Sequence, residues 1–98
     1  MALFPTNHMI SLQENSSATG SFATPWAGGP GRFSAEATFG GGSVTLQVLS
    51  GNGTWMAVGS DTTLTAAGAA GFLLPHGAMI RAAIATATAV YAYADPIP

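Results

Sequence analysis

From Arg32 to Phe39 apolar and polar residues alternate without a break: Phe33, Ala35, Ala37 and Phe39 share one parity, and Arg32, Ser34, Glu36 and Thr38 share the other. An extended strand, whose side chains point to opposite faces in turn, sorts such a run into one wet and one dry side. A dry side needs a second layer to cover it, so this segment calls for a sheet packed against another element. Gly40-Gly41-Gly42 ends the strand, and Ser43 to Ser50 resumes the alternation, with Val44, Leu46 and Val48 set against Thr45 and Gln47. Gly51-Asn52-Gly53-Thr54 supplies residues that tolerate positive φ, as a hairpin turn requires, and Trp55 to Ser60 reads as the return strand.

Further along, Leu64 lies in a threonine-rich segment, Ala66 to Gly71 reads as a small-residue turn region, and Phe72-Leu73-Leu74 ends at Pro75-His76-Gly77. Ala78 to Ala94 is alanine-rich, and alanine is the best helix former. The pattern points the other way. Met79, Arg81, Ala83 and Ala85 alternate with Ile80, Ala82, Ile84 and Thr86, and Val90, Tyr91 and Tyr93 bring back β-formers after Thr86-Ala87-Thr88, which predicts two strands joined by a turn. About seven short strands punctuated by glycine and proline predict an all-β fold, a compact antiparallel β-sandwich or barrel of jelly-roll-like form. At 98 residues it makes one domain, and no solenoid repeat is visible.

Residues 1–16 carry no period and include Pro5, Asn7, Asn15 and Ser16, so they read as an extended N-terminal arm leading into a sandwich domain of residues 17–98. At ~3.3 Å per residue such an arm reaches roughly 50 Å, far enough to touch a neighbouring molecule. Leu3, Phe4, Met9, Ile10 and Leu12 are its candidate contact residues, because a purely solvated tail carries fewer large apolar side chains.

Charge narrows the function classes. Only 6% of residues are charged, lysine is absent, and Arg32 and Arg81 stand against four carboxylates for a net charge of −2. No basic stripe is available for a phosphate backbone, which argues against nucleic acid as a partner. Met1 to Thr6 has neither a basic nor an unbroken apolar stretch, so no secretory signal is predicted. Arg81 and the threonines interrupt the segment 78–94, which argues against a membrane span. With no cysteine there is no thiolate nucleophile and no disulfide framework. His8 and His76 stand far apart, and although Asp61 or Glu14 could share a metal with them, no closely spaced ligand pair anchors such a site. Glu14, Glu36, Asp61 and Asp95 are each isolated, Gly28-Gly29-Pro30-Gly31 and Gly51-Asn52-Gly53 lack the lysine and setting of a phosphate loop, and no Gly-x-Ser-x-Gly elbow occurs. The chain is therefore expected to be neither an enzyme nor a cofactor protein.

Arg81 lies among Met79, Ile80, Ala82 and Ile84, where an unpaired guanidinium is costly. Its expected partner is Glu36 or Asp61 within the subunit, or a group across a subunit interface. Trp26, Trp55, Tyr91 and Tyr93 are either packing residues or a flat platform for sugar rings. Of these, Trp55, Tyr91 and Tyr93 are the candidate contacts for a receptor- or glycan-binding module on a fibre.

At Gly40-Gly41-Gly42-Ser43-Val44-Thr45-Leu46-Gln47, Gly53-Thr54-Trp55, Leu64-Thr65-Ala66-Ala67-Gly68, Leu74-Pro75-His76-Gly77 and Ile80-Arg81, over about residues 30 to 98, the chain resembles small structural proteins of tailed bacteriophages. The resemblance implies a β-rich virion component, a capsid decoration or cement protein that is made in the host cytoplasm. It would sit on the outer head surface as a homotrimer against the major capsid protein. These motifs are structural and bring no catalytic residue with them. The arm lies outside the matched region.

Overall fold

The structure, a computed structural model, describes residues 9–97. Nine strands occur among them: β1 (Ile10–Ser16), β2 (Thr24–Pro25), β3 (Gly29–Thr38), β4 (Ser43–Leu49), β5 (Trp55–Ala57), β6 (Thr63–Leu64), β7 (Gly68–Leu74), β8 (Met79–Ala85) and β9 (Thr88–Pro96). One short 3-10 turn, Ser60–Thr62, joins β5 to β6. Every pairing is antiparallel. A four-stranded sheet runs β1-β9-β3-β7, and a five-stranded sheet runs β2-β8-β4-β5 with β6 also on β4. The fold is a β-sandwich, as the alternating segments require.

The core lies where the two inner faces meet. Phe33 and Ala35 of β3, Val90, Ala92 and Ala94 of β9, and Phe72 of β7 are buried against Val44 and Leu46 of β4 and Ile80 and Ala82 of β8. The alanines explain why an alanine-rich segment forms strands here. Small side chains on the inner faces of β8 and β9 leave room for Phe33, Leu46 and Trp26, so large and small residues interdigitate at close packing. Pairing of β9 with β3 and of β8 with β4 then overrides the local helix preference of alanine. The turn between them passes through Thr86, with φ 68°, where the Thr-Ala-Thr break was predicted.

Gly31 marks the tightest approach in the core. A β-carbon there would meet the Trp26 ring and lie 2.6 Å from the Phe72 ring, so only glycine lets Trp26 seat on β3. The Trp26 and Phe72 rings are tilted by 56° with centroids 4.9 Å apart, and the Trp26 indole N–H donates to the Gly29 carbonyl at 3.1 Å. Trp26 is therefore a core residue, 1% exposed.

Two expectations are corrected. Residues 10–16 are not an arm but the strand β1, paired with β9, with Leu12 and Gln13 buried. Register shifts between Ser11 and Gln13 and between Gln13 and Ser16 interrupt its alternation, so two consecutive residues turn inward and no period of two survives in the sequence. Leu3 and Phe4, like His8, lie outside the described residues. Gly68 to Gly71 is likewise not a turn but the first half of β7. Its backbone is held in register by β3, with Ala35 opposite Gly68 and Arg32 opposite Gly71, and this non-local pairing wins over the turn tendency of glycine.

Candidate functional site

The outer face of the four-stranded sheet carries Tyr91, Tyr93 and Asp95 of β9 and Arg32, Ser34 and Glu36 of β3, because each alternates with a buried neighbour. Cross-strand register sets Ser34 between Tyr93 on β9 and Ala69 on β7, and Tyr91 beside Glu36. Between the tyrosines and the small residues Ala67 to Ala69 lies a shallow groove of about 350 Å³. Within the described residues neither tyrosine hydroxyl nor the Glu36 carboxylate makes a side-chain hydrogen bond. The groove thus offers two aromatic faces and a free acceptor over a floor of small side chains.

Trp55 belongs to the opposite face of the molecule. On β5 of the five-stranded sheet it pairs with Leu49 of β4, and Arg81 pairs with Gln47 in the same sheet. The Arg81 guanidinium lies over the Trp55 ring, 4.4 Å from its centroid, and its Nε–H donates to the Gln47 Oε1 at 2.8 Å. Neither Glu36 nor Asp61 is its partner among the described residues. A π face and a neutral amide meet the charge instead, while the half-buried stem packs on the sheet. The three aromatics proposed as one platform are therefore split: Tyr91 and Tyr93 stay together, and Trp55 is covered by Arg81 on the other sheet.

A second feature occupies one end of the sandwich. Ile10, Pro25, Trp26, Ala27, His76, Gly77 and Pro96 line an open apolar groove of about 610 Å³. Met9 and Ile97, which continue the chain from Ile10 and Pro96, are 47% and 45% exposed. The arm candidates thus divide among three environments. Leu12 is in the core, Ile10 lines the groove, and Met9 is exposed beside it. His76 sits on the tight corner closed by the Ala78 N–H donating to the Pro75 carbonyl at 3.2 Å.

The acids are dispersed. Asp95 receives a bidentate pair of hydrogen bonds from Arg32, Nη2 to Oδ2 at 3.1 Å and Nε to Oδ1 at 3.4 Å, and Glu14 accepts from the Ser11 hydroxyl at 3.0 Å. Among the described residues no three His, Asp or Glu side chains gather around a point that a metal ion could take. No helix among them is long and apolar enough to cross a membrane.

Three residues important to the arrangement escape a reading of the sequence. Gln13 is buried, and its amide donates to the carbonyls of Thr19 at 2.8 Å and Ala82 at 2.9 Å, which ties β1 to the opposite sheet. Thr19 caps the same flank by accepting the Ile84 N–H at 2.9 Å on its hydroxyl. Leu73 of β7 is 72% exposed on an edge. The only signal for the last was that Gly68-Ala69-Ala70-Gly71-Phe72-Leu73-Leu74 is apolar at both parities.

Comparison with protein families, curated proteins and solved structures finds no match to this chain.

Proposed function

We propose that this chain is a non-enzymatic structural protein of a tailed-bacteriophage virion, a capsid decoration protein that attaches to the outer head surface and assembles there in multiple copies. The observation that carries the reading is the apolar end of the sandwich. The groove of Ile10, Pro25, Trp26 and Pro96, flanked by exposed Met9 and Ile97, lies on a molecule with few charges to bind by any other means. Attachment of this kind works by burial, at about 25 cal/mol per Å² of apolar area before the losses of association. Repeating a modest contact on a rigid lattice multiplies it, which suits a three-copy assembly such as the resemblance implies. Because few ion pairs are available, the attachment is expected to vary little with salt.

Quantitative mass spectrometry of purified virions tests this reading. A copy number in fixed, high proportion to the major capsid protein is expected. A handful of copies per particle would move the protein to the tail or a fibre.

That outcome would favour a second reading, a glycan- or receptor-binding module. Its support is the groove that Tyr91 and Tyr93 form with Ala67 to Ala69, with Glu36 and Ser34 as polar contacts and Trp55 left out. Saturable binding on a glycan array, lost in Tyr93→Ala and retained in Trp55→Ala, would establish it.

A further inference from the structure

The four-stranded sheet ends on one side in β7, which pairs with β3 alone. Its seven residues carry no charge and no proline, and their pairing with β3 runs from Gly29 opposite Leu74 to Ala35 opposite Gly68 with no bulge. Among the described residues, no hydrogen bond beyond the ladder with β3 engages Gly68–Leu74, although the 3-10 turn packs close by. The outward N–H and C=O groups of β7 thus form an open template for another strand. Natural sheets usually guard such an edge with charge, proline or a bulge.

We propose that the occupant is β7 of a second copy, paired antiparallel about a two-fold axis at Gly71. The strand's own sequence argues for this partner. Its first half is small and its second half large, so pairing about Gly71 sets Leu73 opposite Ala69, Phe72 opposite Ala70 and Leu74 opposite Gly68. Each bulky side chain meets a small one, on both faces of the sheet. A two-fold contact of this kind is self-complementary by construction.

On the outer face, Leu73 of the partner subunit comes to lie beside Ala69, at the floor of the groove bounded by Tyr93. The most exposed large apolar side chain of the described residues is thereby covered by the shallow cavity nearest its new position. The two four-stranded sheets become one continuous sheet. This inference goes beyond the virion reading and does not rest on it, since self-pairing is read on the purified chain without a capsid.

The native chain holds no cysteine, so single cysteines report the register cleanly. Across an antiparallel pair the two copies of residue 71 are about 4.5–5.5 Å apart at Cα, within disulfide reach, whereas the two copies of residue 73 are separated by roughly 13 Å along the strand. Gly71 does not require positive φ, and a β-carbon there meets only the Gly31 carbonyl oxygen at 3.8 Å. Under mild oxidation Gly71→Cys is expected to form linked pairs and Leu73→Cys, although residues 71 and 73 are both exposed in the single chain, is not. Equal linking of both, or of neither, would overturn the register.

Sedimentation of the native chain provides the second arm. An even number of copies is expected at high concentration, a pair for this contact alone or paired trimers where a three-fold contact adds to it. The Leu73→Lys variant is expected to lose the pairing. A native chain that sediments as one or three copies at every concentration would overturn the proposal, as would β7 amides that gain protection only when capsid protein is added.

Discussion

The two edge strands of the four-stranded sheet are finished in different ways. β1 is bent by two register shifts, carries Glu14 and a positive φ at Asn15, and is tied to the opposite sheet through the Gln13 amide. β7 is regular, uncharged and attached inward mainly through Phe72. The flank of the five-stranded sheet at β8 is also covered, by the short strand β2 and by Thr19 on the Ile84 N–H. Of these edges, among the described residues, β7 alone has no bulge, charge, covering strand or side-chain hydrogen bond, although the 3-10 turn packs close by. The difference teaches that an edge is closed by particular side-chain chemistry, and that a strand without that chemistry is available for pairing.

The largest effects should come from the anchors of each edge. Phe72→Ala removes the aromatic that packs on Trp26 over Gly31, and a loss of about 3–5 kcal/mol is expected in urea unfolding. Leu12→Ala is expected to cost about 2–5 kcal/mol, with the smaller cavity giving the lower value. Should Leu12→Ala prove the more damaging of the two, β1 and not β7 would depend on a single anchor.

Next comes the buried amide. Gln13→Ala leaves the carbonyls of Thr19 and Ala82 without this donor, and an unfolding loss of about 1–3 kcal/mol is expected. Hydrogen exchange should quicken in β1 while β7 stays unchanged. A variant with native stability and native β1 protection would show that the bulges alone finish that edge.

How much of this was legible in the sequence depends on whether a feature is local. The alternation of Arg32 to Phe39, the glycine stop after it and the two strands of residues 78–94 could be read because period two follows from strand geometry alone. β1 escaped because its bulges bury Leu12 and Gln13 side by side, and the first half of β7 escaped because glycine and alanine become a strand only through pairing with β3. The site was less legible than the fold. Tyr91 and Tyr93 share a strand and a parity, so their common face follows from the sequence, but the sheet to which Trp55 belongs depends on pairing with β4. The partner of Arg81 was hidden for the same reason: Gln47 and Trp55 reach it through the β4 ladder, and charge counting favours acids that lie elsewhere.

The smallest effect is expected on the exposed face between the two edges. Arg32→Ala breaks the ion pair with Asp95, where the arginine side chain is 55% exposed, and screening limits the loss to about 0–1 kcal/mol. That loss should shrink further in high salt, whereas association through uncharged β7 should not weaken with salt at all. Association that collapses on adding salt would assign the contact to Arg32, Glu36 or Asp95 and remove β7 from it.

The most direct measurement of the central claim is amide hydrogen exchange on the native chain across a dilution series, comparing β7 with β1. The β7 amides that do not donate to β3 are expected to be protected at high concentration and to lose that protection on dilution, while β1 stays constant throughout. Fast exchange of those β7 amides at every concentration would mean that the edge stays open in solution and would contradict the account.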